Sequence, residues 1–158
     1  MRKISVSDWA TWVATLCGAG YLTRVPGTVG SAIACVLYLL LPIRWWAILA
    51  VVLLGTWAAD IYAKKKGITD PGEVVIDEVA GMWLSLYALP LTFALPAFLL
   101  FRIVDILKPI PVCTAEKLPG GIGIMADDVI GGIMTNLILQ GICWIFLDQG
   151  WLRALFVA

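Results

Sequence analysis

Residues 74–81 read VVIDEVAG, and residues 124–132 read IMADDVIGG. Each stretch places two adjacent acids in front of a valine, an apolar residue and a glycine, and each leads into a long apolar run. Carboxylates next to hydrocarbon are costly unless their charge is compensated. The repeat therefore predicts two hydrophobic helices with acids at the same end, brought close together by Gly81, Gly131 and Gly132.

The composition favours a membrane protein. Of 158 residues, 61% are apolar and only 14% are charged, and the mean hydropathy is +0.96. Soluble domains are closer to half apolar. Four stretches carry no charged side chain: 29–41, 45–59, 79–101 and 129–147. A soluble helical protein is the alternative, but a chain of this length cannot bury so much apolar surface.

We predict a single all-α, polytopic membrane bundle. About five hydrophobic segments are expected, at 29–41, 45–63, 75–89, 91–107 and 128–147. Several are short, so they tilt, thin the bilayer or re-enter it at Leu89-Pro90. Residues 1–28 are read as an amphipathic interfacial helix with a glycine-rich loop, 29–147 as the bundle and 148–158 as a C-terminal tail.

The charges predict an orientation. If the N-terminus is cytoplasmic and all five segments cross, nine basic residues face the cytoplasm: Arg2, Lys3, Arg24, Lys64, Lys65, Lys66, Arg102, Lys108 and Lys117. Only Arg44 and Arg153 face outward, which is a strong positive-inside bias. Of the acids, only Asp148 faces outward under this assignment. The chemistry is therefore expected at the cytoplasmic face.

The chain contains no histidine, which excludes histidine nucleophiles, Ser-His triads and histidine-type zinc sites. The two acid pairs would repel each other unless a cation neutralises them. Oxygen ligands favour Mg²⁺, with Mn²⁺ as an alternative. A simpler interpretation is that the acids only stabilise helix N-termini.

Three further groups of residues bear on this site. In FRIVDILKP, residues 101–109, Arg102 and Asp105 share a helix face, either as a plain salt bridge or as part of a phosphate and metal site. Asp60 lies inside an apolar segment, where an acid is usually functional unless it reaches the interface. The glycine-rich stretch GAGYLTRVPGTVGS, residues 18–31, suits an anion. Acids and bases gathered at headgroup depth indicate phosphoryl chemistry on a phospholipid.

Four blocks in this order resemble the phosphatidylglycerophosphatase A family: GAGYLTRVPGTVGS, DPGEVVIDEVAG, FRIVDILKPIP and GGIGIMADDVIGG. The resemblance implies an Mg²⁺-dependent lipid phosphatase of the bacterial cytoplasmic membrane. Such an enzyme converts phosphatidylglycerophosphate to phosphatidylglycerol and inorganic phosphate. Small departures from the family occur at Ile110, where tryptophan is common, and at Gly131, where alanine is common.

We hypothesise the following roles. One or two Mg²⁺ ions are bound among Asp60, Asp77, Glu78, Asp105, Asp127 and Asp128. A carboxylate free of metal, Glu78 or Asp70, takes a proton from the attacking water. The substrate phosphate is held by Arg24, Thr28, Ser31, Arg102 and Lys108. The partner is a phospholipid in the bilayer, with no nucleic acid, and the oligomeric state is not predicted.

Two other functions compete with this interpretation. A CDP-lipid phosphotransferase also uses membrane aspartates and Mg²⁺, but the DGxxAR signature of those enzymes is absent. A Mg²⁺ carrier or channel would line a path with carboxylates near the bilayer midplane. In this chain only Asp60 is even slightly internal, so the phosphatase interpretation is preferred.

Overall fold

The computed structural model describes residues 6–148. In this part of the chain all regular elements are helical: α1 (Val6–Ala14), α2 (Pro26–Leu40), α3 (Trp45–Lys66), α4 (Ile76–Leu86), α5 (Ala94–Leu107), α6 (Val112–Ala115) and α7 (Gly121–Asp148). Two short 3₁₀ turns, Ala19–Tyr21 and Leu91–Phe93, complete the elements. The all-helical prediction is confirmed. Residues 149–158 of the predicted tail, together with Arg2 and Lys3, lie outside the described residues.

Helix α4 is the centre of the bundle. Most of its residues are buried, including Val79, Met82 and Leu86, and it packs on α2, α3, α5 and α7. Its closest neighbour is α7. A methyl group on Gly132 would collide with the backbone of Gly81, and one on Gly81 would lie 2.8 Å from the carbonyl oxygen of Asp128. The two glycines therefore set the distance between the helices that carry the acid pairs.

The number of membrane-spanning helices differs from the prediction. Only α3, with 22 residues, and the Gly121–Ile145 part of α7, with 25, are both long and apolar enough to cross a bilayer. The expectation of five such segments is wrong for the described residues by this measure. Helix α4 has 11 residues, which is about 16 Å, against roughly 30 Å of hydrocarbon.

The outer surface of the two long helices is apolar. In α3, Leu53 and Leu54 are 62% and 58% exposed, and in α7 Leu137 is 64% exposed. A soluble core helix would bury these side chains, whereas only 33% of the most apolar stretch of α3 is buried. Large apolar side chains exposed along two long helices mark contact with lipid or a partner. Together with the lengths of α3 and α7, they indicate a membrane protein.

The start of α7 also differs from the sequence-based expectation. We expected the acids Asp127 and Asp128 at the front of a helix covering 128–147, but α7 begins at Gly121. Gly120 has a φ of +61°, which glycine adopts without strain, and the carboxylate of Asp60 accepts a hydrogen bond from the Gly121 N–H at 3.3 Å. The acids therefore lie inside α7, beyond the helix terminus that was expected to stabilise them.

Helix α1 packs across α3 at one end of the bundle. Ala10 and Ala14 are fully buried, whereas Trp9 and Trp12 are 62% and 57% exposed. The Asp8 carboxylate lies 3.4 Å from Lys65 Nζ at the last turn of α3. The exposed tryptophans are compatible with the expected interfacial helix, and its position in a bilayer stays a prediction.

Candidate functional site

Three carboxylates from three different helices meet at one end of the bundle. Glu78 is in the first turn of α4, Asp105 in the last turn of α5, and Asp128 in α7. One oxygen from each lies within 4.8 Å of the others. Glu78 and Asp128 are 7% and 4% exposed, and Asp105 is half-buried. The first turn of α4 and the last turns of α5 lie side by side, because Glu78 contacts Arg102 there. We call Glu78, Asp105 and Asp128 the carboxylate cluster.

Arg102 is the base in direct contact with this cluster. Its Nη1 donates to Glu78 Oε1 and, at 2.8 Å, to Asp105 Oδ2. The same nitrogen lies 3.4 Å from Ser31 Oγ. The Nε of Arg102 is buried and has no hydrogen-bond partner. One guanidinium thus contacts two members of the carboxylate cluster and keeps an unused donor.

Helix α2 brings a hydroxyl and a glycine to the same place. Ser31 is fully buried, and its Oγ is within hydrogen-bond distance of Glu78 Oε2 and of the Gly27 carbonyl oxygen. A methyl group on Gly27 would collide with Glu78 Oε1 and would lie 3.2 Å from both terminal nitrogens of Arg102. The glycine therefore keeps a cradle open in front of the acid and the guanidinium.

A second basic residue lies beside the cluster. Lys108, which follows α5, donates to Asp127 Oδ2 at 2.9 Å and to Glu116 Oε1 at 2.8 Å. Glu116 was not among the residues predicted from the sequence. It lies just after the short helix α6, in a stretch without any repeat or apolar periodicity, so no sequence signal indicated its contact with Lys108.

The two acid pairs share one arrangement. In the first pair, Asp77 Oδ1 accepts a hydrogen bond from the Glu78 backbone N–H at 2.9 Å. In the second, Asp127 Oδ1 accepts one from the Asp128 N–H at 3.0 Å. The first acid of each pair thus turns toward the backbone, and the second acid joins the carboxylate cluster. The repeated sequence corresponds to a repeated geometry on two touching helices.

The acids perturb one another electrostatically. Burial raises the pKa of Asp77 well above its ordinary value, and the neighbouring charge of Glu78 raises it further. Burial also raises the pKa of Glu78 to about 7, although the charge of Arg102 opposes the shift. Burial alone would lower the pKa of Lys108, but its hydrogen bonds to Glu116 and Asp127 outweigh burial and raise the pKa. The carboxylates on α4 therefore need a further cation to ionise as readily as they do in water.

The remaining predicted residues lie around the cluster or away from it. Asp60 forms an ion pair with Lys64 at 2.6 Å and caps α7, so the structure does not bring it to the carboxylate cluster. Asp70 is exposed on the loop between α3 and α4, close enough to Lys108 and Asp105 to feel their charges. Arg24 and Thr28 are exposed at the front of α2.

The donor set of the carboxylate cluster fits a hard divalent cation. All three ligand groups are carboxylates from separate helices, and the chain offers no imidazole. With Asp77 and Asp127 included, five acids surround two bases, Arg102 and Lys108. A buried surplus of negative charge is expensive unless a cation joins it. The cluster can therefore hold an oxygen-bound ion of the Mg²⁺ class.

Comparison with known proteins assigns this arrangement to a family. Residues 12–143 match the family described as Phosphatidylglycerophosphatase A (PgpA). The chain is 35% identical over 143 residues to phosphatidylglycerophosphatase A of Escherichia coli (strain K12), covering 85% of this chain and 80% of that protein. The phosphatidylglycerophosphatase A of Haemophilus influenzae is 34% identical over 152 residues, covering 90% and 93%.

A third relative carries a different name. A Bacteroides thetaiotaomicron protein called "Putative phosphatidylinositol-3-phosphatase" is 37% identical over 143 residues, covering 81% of this chain and 89% of that protein. No solved structure matches the chain. The four sequence blocks and the carboxylate cluster all lie in the matched region. The chain belongs to the phosphatidylglycerophosphatase A family.

Proposed function

We propose that this protein hydrolyses the terminal phosphomonoester of phosphatidylglycerophosphate, giving phosphatidylglycerol and inorganic phosphate. The observation that carries the proposal is the meeting of Glu78, Asp105 and Asp128 beside Arg102, in a chain that matches the phosphatidylglycerophosphatase A family over residues 12–143. Acids that hold a cation, next to a guanidinium that holds an anion, are the two halves of a phosphate-handling site.

The proposed cofactor is Mg²⁺, with Mn²⁺ as a substitute. Glu78, Asp105 and Asp128 would hold the first ion. Asp77 and Asp127, whose charges act on each other, would help to place a second. When bound, such an ion neutralises phosphate charge and lowers the pKa of a nearby water.

Other residues of the chain would bind the phosphate and accept the proton of the attacking water. Arg102 would hold phosphate oxygens through two N–H groups, and Lys108 would add a second positive charge. The front of α2, with Gly27, Thr28 and exposed Arg24, would approach the phosphate through backbone N–H groups. Asp70 is outside the carboxylate cluster and faces solvent, so it is our choice of base to take the proton of the attacking water.

We place the protein in the bacterial cytoplasmic membrane with this site at the inner face. Three basic residues close α3: Lys64, Lys65 and Lys66. They support the orientation, because Asp60, one turn before them, contacts the start of α7 on the same side of the bundle. The apolar outer surfaces of α3 and α7 would meet acyl chains, while the carboxylate cluster lies at the helix ends, at the depth of a lipid phosphate. Native Cys17 is exposed near this end. In a chain whose other three cysteines are replaced by serine, an impermeant maleimide should label Cys17 from the cytoplasmic side alone, and Cys17→Ser should remove that signal.

Phosphate release from phosphatidylglycerophosphate by the purified protein tests the function. We expect activity with Mg²⁺, none with EDTA, and recovery when Mg²⁺ is restored. Asp128→Asn should abolish turnover, whereas Glu73→Gln, which removes an acid that pairs with Lys66 outside the cluster, should retain it. Absence of phosphate release with Mg²⁺ present would reject the proposal.

The name of the Bacteroides relative supplies a second substrate for the same assay. Phosphatidylinositol 3-phosphate should be hydrolysed more slowly than phosphatidylglycerophosphate. The reverse preference would move the assignment to a phosphoinositide phosphatase. Ion flux into proteoliposomes without phosphate release would instead support the carrier interpretation, and release of CMP from a CDP-lipid would support the phosphotransferase.

A further inference from the structure

We propose that Arg102 is an exchangeable counter-ion: it neutralises Glu78 and Asp105 while the metal site is empty, and it transfers to the substrate phosphate when a divalent ion takes those carboxylates. This inference rests on the proposed function for its metal and its phosphate. It concerns a step that the carboxylate cluster alone does not imply, namely what holds the acids before the ion arrives.

The contacts of Arg102 are the basis of the proposal. A single nitrogen, Nη1, contacts Glu78 Oε1, Asp105 Oδ2 at 2.8 Å and Ser31 Oγ at 3.4 Å. Two of the three members of the carboxylate cluster are therefore bound by the guanidinium. Asp128 is the third member and has no ion pair to Arg102 among the described contacts. A divalent ion at the cluster would need the same two side chains that Arg102 occupies.

The Arg102 guanidinium and a divalent ion cannot both bind these carboxylates as strongly as each would alone. An ion with two positive charges placed among the three carboxylates would lie within a few ångström of the guanidinium and repel it. The stronger pull of the divalent ion on the carboxylate oxygens weakens the hydrogen bonds from Nη1. A phosphate dianion at the same site reverses this loss, because it offers new acceptors to both terminal nitrogens.

The surroundings leave the guanidinium room to change partners. Gly27 presents no side chain to it, and a methyl group there would stand 3.2 Å from Nη1 and Nη2. The Arg102 side chain is 15% exposed, so part of it reaches the surface. Its buried Nε has no partner to lose. Among the contacts of the described residues, movement toward a phosphate therefore breaks those to Glu78, Asp105 and Ser31.

Lys108 provides the matched comparison. It is also a cation at the edge of the site, but its partners are Asp127 and Glu116, neither of which belongs to the carboxylate cluster. Removing either base deletes one positive charge near the metal. Only removal of Arg102 deletes a competitor for the three carboxylates that would hold the first ion.

The exchange makes metal and phosphate binding mutually supportive. Linkage requires that the factor by which phosphate raises the affinity for the metal equals the factor by which the metal raises the affinity for phosphate. In the wild-type chain the first metal ion must displace Arg102, and phosphate then stabilises the displaced guanidinium. Without Arg102 the metal binds at no such cost, and part of the assistance from phosphate is lost.

The test measures Mn²⁺ binding to the purified full chain in detergent. Electron paramagnetic resonance reports the bound Mn²⁺, and no substrate is present. Arg102→Gln should bind Mn²⁺ about tenfold more tightly than the wild type, a coupling of ordinary size. Lys108→Gln, with the same charge change, should show a clearly smaller gain. Inorganic phosphate should tighten Mn²⁺ binding more in the wild type than in Arg102→Gln.

Each alternative result has a definite meaning. Equal or weaker Mn²⁺ binding by Arg102→Gln, or an equal gain in both variants, would overturn the exchange while leaving the metal site in place. No saturable Mn²⁺ binding by the wild type would overturn the metal part of the proposed function, and the exchange with it.

A measurement on the unmutated chain covers a failure of the variant to fold. With ¹⁵N-labelled arginine, the Arg102 Nε resonance, assigned by its loss in Arg102→Lys, should shift when Mg²⁺ saturates the site and shift again with inorganic phosphate. An Nε resonance that ignores Mg²⁺ would overturn the proposal.

Discussion

On Glu78, three kinds of interaction meet at one carboxylate. Arg102 donates to one oxygen, Ser31 lies within hydrogen-bond distance of the other, and the side chain belongs to the carboxylate cluster with Asp105 and Asp128. Burial leaves 7% of the residue exposed. A buried acid survives when its charge is compensated from several sides, and this explains why α2, α5 and α7 all contribute to one residue of α4.

Gly27 is the residue whose role can be tested with the smallest change. Gly27→Ala places a methyl group against Glu78 and Arg102, so it should displace both. Displacement of this size typically lowers kcat/KM by about 10²-fold. The measurement is phosphate release from phosphatidylglycerophosphate, with circular dichroism to show that the helices persist.

The matched control is Gly141→Ala in α7, where an added methyl group meets nothing within 4 Å. That variant should keep its activity and gain slightly in stability, because alanine favours helix over glycine by about 0.5–1 kcal/mol. Equal activity of Gly27→Ala and Gly141→Ala would contradict the account of the cradle.

At the residue scale, the sequence predicted which residues meet but not how their side chains are oriented. The repeated acid pairs and the Arg102–Asp105 spacing indicated residues that the structure brings together, because adjacency and helical periodicity are visible in one dimension. Which acid of each pair turns inward depends on the rotation of α4 and α7 about their axes, and that is decided by packing. The contact of Glu116 with Lys108 depends on the path of a loop, which carries no periodic signal.

Among the elements, the contact between α4 and α7 determines the site. Gly132 lies against the Gly81 backbone, and this close approach brings Glu78 and Asp128 into one cluster. The sequence predicted the close approach from the glycines but placed the start of α7 too late. The true start depends on Asp60 of α3 capping Gly121, and this is a contact between distant parts of the chain.

Two adjacent glycines allow a sharp prediction for this contact. Gly132→Ala should separate α4 from α7 and destabilise the fold by about 3 kcal/mol, as overpacking does. Gly131→Ala should be tolerated, because its methyl group would lie 3.5 Å from Val104 at an ordinary contact distance. The free energy of unfolding of the two variants in denaturant and detergent checks this. Similar stability of the pair would contradict the described contact.

For the molecule as a whole, the exposed apolar surfaces of α3 and α7 explain the composition. The high apolar content predicted a membrane protein, and the length and apolar character of α3 and α7 support that prediction. The count of five spans was wrong because an uncharged stretch shows only that a segment avoids charge. Whether it is one helix, and how long, depends on breaks such as Tyr87–Pro90 between α4 and α5.

A charge on the outer face of α3 distinguishes a lipid-facing helix from a soluble one. Leu54 is 58% exposed, so Leu54→Lys would cost a soluble protein little. In a bilayer, lysine near the helix centre costs about 2.5–3.5 kcal/mol on insertion scales. We therefore expect a reduced fraction of the protein to resist carbonate extraction from membranes.

Leu22→Lys is the control for that experiment. Leu22 is 75% exposed in the loop before α2, outside both long helices, and the substitution there should not change membrane integration. Equal integration of Leu54→Lys and the wild type would show that α3 does not face lipid.

The central claim is that three helices build one divalent-cation site from Glu78, Asp105 and Asp128. The most direct measurement is the anomalous scattering of Mn²⁺ in crystals of the full chain grown with that ion. The account predicts a strong peak among these three carboxylates, with metal–oxygen distances of about 2.0–2.3 Å. A peak at Asp60, or an Mn²⁺-saturated protein with no peak at the carboxylate cluster, would contradict it.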